Sequence, residues 1–146
     1  MAKTGPIIIV EDDSDDCELL QDVIRDLKLN NEIKCFSTGF KALEYFLATT
    51  DTPFLIFSDI NMPVMDGLEL RRLINENEKL KRHSIPFIYF TTAATSEAVS
   101  EAYYLSVQGF FEKPHSYDET INLLKHIIDY WSFCRHPNNL HKFKKL

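Results

Sequence analysis

Short apolar runs alternate along this chain with longer segments whose apolar positions recur every three or four residues. "PIIIV" (6–10) is almost uninterruptedly β-branched, as a strand buried on both faces should be. "EIKCF" (32–36), "FLIFS" (54–58), "PFIYFT" (86–91) and "GFFEK" (109–113) predict four further strands. Between them, Leu19, Leu20, Val23, Ile24 and Leu27 fall at helical spacing behind Ser14, a candidate N-cap. Ala42, Leu43, Phe46 and Leu47 mark a second helix, and Leu68, Leu70, Leu73 and Ile74 a third. An Ala-rich segment around 95–106 predicts a weaker fourth. The last helix opens on Ser116 and Glu119, a Ser-x-x-Glu capping box, and buries Ile121, Leu124, Ile127, Ile128 and Trp131. Five strand–helix units in succession predict a doubly wound α/β fold, a parallel five-stranded sheet with helices on both faces.

The pattern ends near residue 132, so residues 1–132 read as one domain and 133–146, "FCRHPNNLHKFKKL", as a basic tail with no separate output domain. The tail's cysteine and histidines match no usual zinc spacing. A net charge of −6 argues against non-specific nucleic-acid binding. No apolar run approaches membrane-spanning length and the N-terminus lacks a signal-like core, which predicts a cytoplasmic protein. Cys17, Cys35 and Cys134, odd in number and widely spaced, read as reduced thiols and not as a disulfide framework.

Doubly wound sheets bind ligands beyond the carboxyl ends of their strands. Here those ends carry Glu11, Asp12 and Asp13 after the first strand, Asp59 after the third, Thr91 and Thr92 at the fourth, and Lys113-Pro114 at the fifth. Singly, each is weak: acidic residues after a strand often cap the next helix. Together they supply complementary groups to one pocket. Clustered carboxylates repel unless a cation joins them, and Mg²⁺, which takes a couple of carboxylates and keeps several waters, suits so sparse a site. Lys113 and Thr91 are placed to receive an added anion. The chemistry this suggests is Asp59 as a carboxylate nucleophile that becomes an acyl phosphate.

"VEDD" (10–13), "SDINMPVMDG" (58–67), "FTT" (90–92) and "EKP" (112–114) stand in the order found in the response-regulator receiver domains of two-component signalling, and residues 6–132 resemble that family. The resemblance implies a flavodoxin-like (βα)5 sheet of order 2-1-3-4-5, a strand order that alternation alone does not supply. It implies Asp59 as phosphoacceptor. It also implies Glu11 and Asp12 as the acidic pair for Mg²⁺, and Asn61 lending a main-chain carbonyl to the metal. Thr91 becomes the switch hydroxyl, Lys113 the phosphate-binding lysine, and Pro114 follows a cis bond, against a base rate of about 5–6%. Phe110 stands where many members have a switching tyrosine, so any switch here would rest on packing. Thr92 is larger than the residue often found beside the pocket and predicts restricted access for water or small phosphodonors.

The implied partner is a sensor histidine kinase or histidine phosphotransfer protein, and the implied role is signalling through protein contact or, alternatively, onward phosphorelay. Such a protein is not an enzyme beyond its own phosphorylation and autodephosphorylation. "DYWSFCRHPNN" resembles single-domain regulators that partner phytochrome-like kinases, and a homodimer is a further expectation. Asp13, Asp15 and Asp16 read as N-terminal residues of the first helix, favoured by its dipole. His83, His115 and His126 read as solvated. An aspartate-nucleophile phosphatase of the haloacid dehalogenase kind would need its nucleophile after strand one with a second aspartate two residues on, where Asn61 stands here. A flavin or nucleotide module would need a phosphate-cradling loop that four acidic residues in 11–16 oppose.

Overall fold

The computed structural model describes residues 2–92 and 94–135. After a short 3₁₀ turn at Ala2–Thr4, the elements are β1 (Ile7–Val10), α1 (Ser14–Asp26), β2 (Ile33–Phe36), α2 (Gly39–Ala48), β3 (Leu55–Ser58) and α3 (Gly67–Glu76). They continue with α4 (Glu78–His83), β4 (Phe87–Thr91), α5 (Ser96–Tyr104), β5 (Gly109–Glu112) and α6 (Tyr117–Phe133). All strand pairs are parallel, in order β2-β1-β3-β4-β5. The flavodoxin-like arrangement implied by the resemblance is the one found.

Alternation along the strands divides the core in two. Ile8, Val10, Ile56, Phe87 and Tyr89 pack toward α2, α3, α4 and α5. Ile7, Ile9, Leu55, Phe57, Ile88 and Phe90 pack toward α1 and α6. Because both faces are covered, β1, β3 and β4 are buried at every position and apolar up to their last residues, Ser58 and Thr91 in β3 and β4, which is why they read as near-continuous runs.

Several local expectations change. The first helix is capped by Asp13, whose side chain accepts from the N–H groups of Asp15 and Asp16, and Ser14 is its first residue. A single oxygen, Asp13 Oδ1, accepts both bonds and so satisfies two of the helix's orphan donors. Leu19, placed in the apolar stripe by spacing, is 40% exposed. The segment after β3 divides at Asn77, which caps α4 by accepting from Leu80 N–H, so six residues that the apolar pattern leaves unassigned form a further short helix. Ser116 caps α6 as its Ser-x-x-Glu pattern predicts, accepting from Glu119 N–H. Most of the basic tail read at 133–146, residues 136–146, lies outside the described residues.

Cys17 and Cys35 lie side by side with their Cα atoms 6.7 Å apart, a proximity that reading them as separate, widely spaced thiols did not anticipate. The crossover from β1 through α1 to β2 brings the first turn of α1 over the end of β2, a proximity invisible in an 18-residue spacing.

Candidate functional site

Parallel registry assembles the site. Val10 lies beside Ser58, so Glu11 and Asp59 leave the sheet side by side, and Asp59 N–H continues the ladder by donating to the Val10 carbonyl at 3.0 Å. Thr91 lies beside Glu112, and Lys113 N–H donates to the Thr91 carbonyl at 2.9 Å. The side chains that follow these strands must therefore converge on one end of the sheet.

Glu11 and Asp59 are only 3% and 9% exposed, while Asp12 stands in solvent. Glu11, Asp12 and Asp59 each offer a carboxylate oxygen within 4.8 Å of the others. Three anionic oxygen donors, two of them desolvated, fit a hard divalent cation such as Mg²⁺. Lys113 Nζ donates to Glu11 Oε1 at 2.6 Å, to Asp16 Oδ2 at 2.9 Å and to Asp59 Oδ2 at 3.3 Å. Burial pushes the Glu11 carboxyl up to about 7; hydrogen bonding to Lys113 opposes the rise and the Asp59 charge adds to it. Burial works against the Lys113 ammonium, but its bonds to Glu11 and Asp16 outweigh that and raise its pKa.

The loop behind Asp59 is held by its own backbone. Asp59 Oδ1 accepts from Ile60 N–H at 2.7 Å, and Ser58 Oγ donates to the Asp59 carbonyl at 2.8 Å. Gly67 N–H donates to the Ile60 carbonyl, and a Cβ on Gly67 would lie 2.1 Å from the Asp59 carbonyl oxygen, so only glycine lets α3 start this close. Tyr89, fully buried, donates its hydroxyl to the Gly67 carbonyl at 2.6 Å. These contacts fix where the Asp59 carboxylate points.

Of the other predicted residues, Thr91 is buried at the end of β4, Thr92 beyond it is exposed, and Asn61 is exposed in the loop two residues past Asp59. Phe110 is half-buried, its ring centroid 5.8 Å from that of Tyr89. The expected cis bond before Pro114 is not found: no cis peptide occurs among the described residues, and the bond takes the trans form that X–Pro linkages intrinsically prefer. Asp16 is the functional neighbour that pattern reading missed. It stands at the third position of α1, where an acidic residue is adequately explained by the helix dipole, and only the tertiary fold brings Lys113 to it.

The ends of β1, β3, β4 and β5 bring carboxylates, a threonine and a lysine to one end of the sheet, the arrangement that the resemblance to receiver domains implies. Residues 7–125 match the model of the response regulator receiver domain, and the chain belongs to that family. It is 28% identical to the response regulator Rcp1 of Synechocystis sp. over 86% of this chain and 87% of Rcp1. The crystal structure of the phosphorylated cyanobacterial phytochrome response regulator RcpA superposes with a TM-score of 0.80 at 26% identity, covering 90% of this chain and 96% of RcpA. The Mn²⁺-bound form of Rcp1 gives a TM-score of 0.78 at 26% identity, with the same coverages.

Proposed function

We propose that Asp59 accepts a phosphoryl group from a phosphohistidine of a sensor kinase or histidine phosphotransfer protein. The observation that carries this reading is Lys113 Nζ bridging the desolvated carboxylates of Asp59 and Glu11 at the strand ends. In the transfer, the donor's N–P bond breaks and an O–P bond forms on the Asp59 carboxylate, whose orientation is held by Ile60 N–H and the loop closed at Gly67. The Lys113 ammonium then pairs with the new phosphoryl oxygens, and the Thr91 hydroxyl hydrogen-bonds one of them. Glu11, Asp12 and Asp59 would hold Mg²⁺, with the Asn61 main chain as a further ligand. When bound, the ion supplies positive charge that offsets repulsion between these carboxylates and the incoming phosphoryl group. The Mn²⁺-bound state of Rcp1 supports this assignment.

Drawing Thr91 and Lys113 toward the phosphoryl group shifts β4 and β5, and Phe110, packed on Tyr89, carries the shift to the α5–β5–α6 face. That face exposes Tyr104, Tyr130 and Phe133, which favours output by protein contact. The likeness to RcpA supports a phytochrome-like kinase as donor, and a cytoplasmic site of action rests on that partnership. No helix among the described residues is long and apolar enough to cross a membrane. Incubation with acetyl phosphate should give an acid-stable, base-labile phosphoprotein only when Mg²⁺ is present. An adduct undiminished in Asp59→Asn would overturn the proposal.

A further inference from the structure

A second recess, of about 440 Å³, opens at the opposite end of the sheet from Asp59, where Pro53, Ile85 and Gln108 lead into β3, β4 and β5. This is within the size range of small-molecule sites. Phe46, Ile56, Ile74 and Leu80 form an apolar wall, each no more than 6% exposed. Arg71, Lys81 and His83 also line it, and among the described residues no carboxylate does.

Arg71 is 8% exposed yet has no acidic partner among the described residues. Its Nε donates to the Leu105 carbonyl at 3.1 Å, its Nη2 donates to the Ser106 carbonyl at 2.8 Å, and Cζ lies 5.3 Å from the Phe87 ring centroid. These contacts tether α3 to the end of α5, but a tether does not require a charge. Asn75, one turn further along α3, donates to the same Leu105 carbonyl at 2.8 Å with a neutral amide. Nη1 makes no hydrogen bond or ion pair among the described residues. A buried guanidinium without an anion is costly, so the recess holds a charge that a ligand can complete.

We propose that this recess binds a small organic anion, a carboxylate on an apolar body. Arg71 Nη1 meets the carboxylate and the wall of Phe46, Ile56, Ile74 and Leu80 takes the hydrocarbon. Lys81 adds positive potential at the rim, which favours an anion over a neutral ligand of the same shape.

The test is amide-resolved NMR titration of the full chain with hexanoate and, separately, with 1-hexanol. Hexanoate should give saturable shifts at residues 71–85 and 105–108, and 1-hexanol should bind about tenfold more weakly or worse. Arg71→Met, which keeps an apolar stem, should lower hexanoate affinity at least about tenfold, and Lys81→Ala by about two- to fivefold. Equal binding of hexanoate and 1-hexanol would overturn the proposal, as would full hexanoate affinity in Arg71→Met or shifts confined to the surroundings of Lys113. If Arg71→Met does not fold, the hexanol comparison and Lys81→Ala decide the matter by the same criteria.

Discussion

Lys113 is shared among three carboxylates, and only two of them, Glu11 and Asp59, were legible as site residues from strand-end position. The third, Asp16, competes for the same ammonium that a phosphoryl group needs. Its side chain is 43% exposed, so the pair is worth no more than about 1 kcal/mol. Asp16→Asn should accordingly leave thermal stability nearly unchanged while raising the phosphorylated fraction reached at a fixed acetyl phosphate concentration. A fraction equal to or below the parent's would remove Asp16 from the account. Glu11 offers a pH test. Its pKa rises from 4.5 to about 7 on folding, so in the metal-free fold the protonated form prevails only below about pH 7. The stability it contributes is complete below about pH 4.5 and is lost as the pH rises through 7. Mg²⁺ must displace that proton, so its affinity should fall by up to about tenfold per unit below pH 7 and level off above. Calorimetric titration should show this slope in the parent and its loss in Glu11→Gln; a flat profile in the parent between pH 6 and 8 would contradict it.

The elements were the most legible part of the fold, and for a physical reason. Strands buried on both faces admit polar residues only at their ends, here Ser58 and Thr91, so "PIIIV", "FLIFS" and "PFIYFT" locate β1, β3 and β4 to within a residue. Helix α4 was not legible, because a single turn shows no period and its start depends on Asn77 acting as a cap. Arg71 was hidden in the same way: beside Leu70 and Ile74 it shares the buried face of α3, where a charged letter reads as a solvated one. The β3–α3 loop shows a different kind of concealment. Val64 has φ 68° and is 92% exposed, so a β-branched residue occupies the left-handed region with little packing in return. Such strain costs about 1–2 kcal/mol, and glycine would relieve it while adding some freedom to the unfolded chain. Val64→Gly should therefore raise stability by about 1 kcal/mol in urea unfolding; a loss of stability would show that the valine side chain is held by contacts worth more than the strain.

At the scale of the whole molecule, one sheet serves two ends. Its carboxyl ends gather Glu11, Asp12, Asp59, Thr91 and Lys113, and its amino ends open the recess around Arg71. The first was readable because each residue directly follows a strand. The second was not, because its lining is gathered from α2, α3, α4, α6, β3 and the segments leading into three strands, with no motif to mark it. The trans bond before Pro114 and the closeness of Cys17 to Cys35 are likewise matters of tertiary arrangement that residue order does not encode. Every role proposed for the carboxyl end of the sheet depends on Asp59 being the phosphoacceptor. Borohydride reduces an aspartyl phosphate to homoserine, so peptide sequencing by mass spectrometry after phosphorylation and reduction identifies the acceptor residue. Homoserine at position 59 alone, dependent on Mg²⁺, is the predicted result; homoserine at Asp12 or any other position, with Asp59 intact, would contradict it.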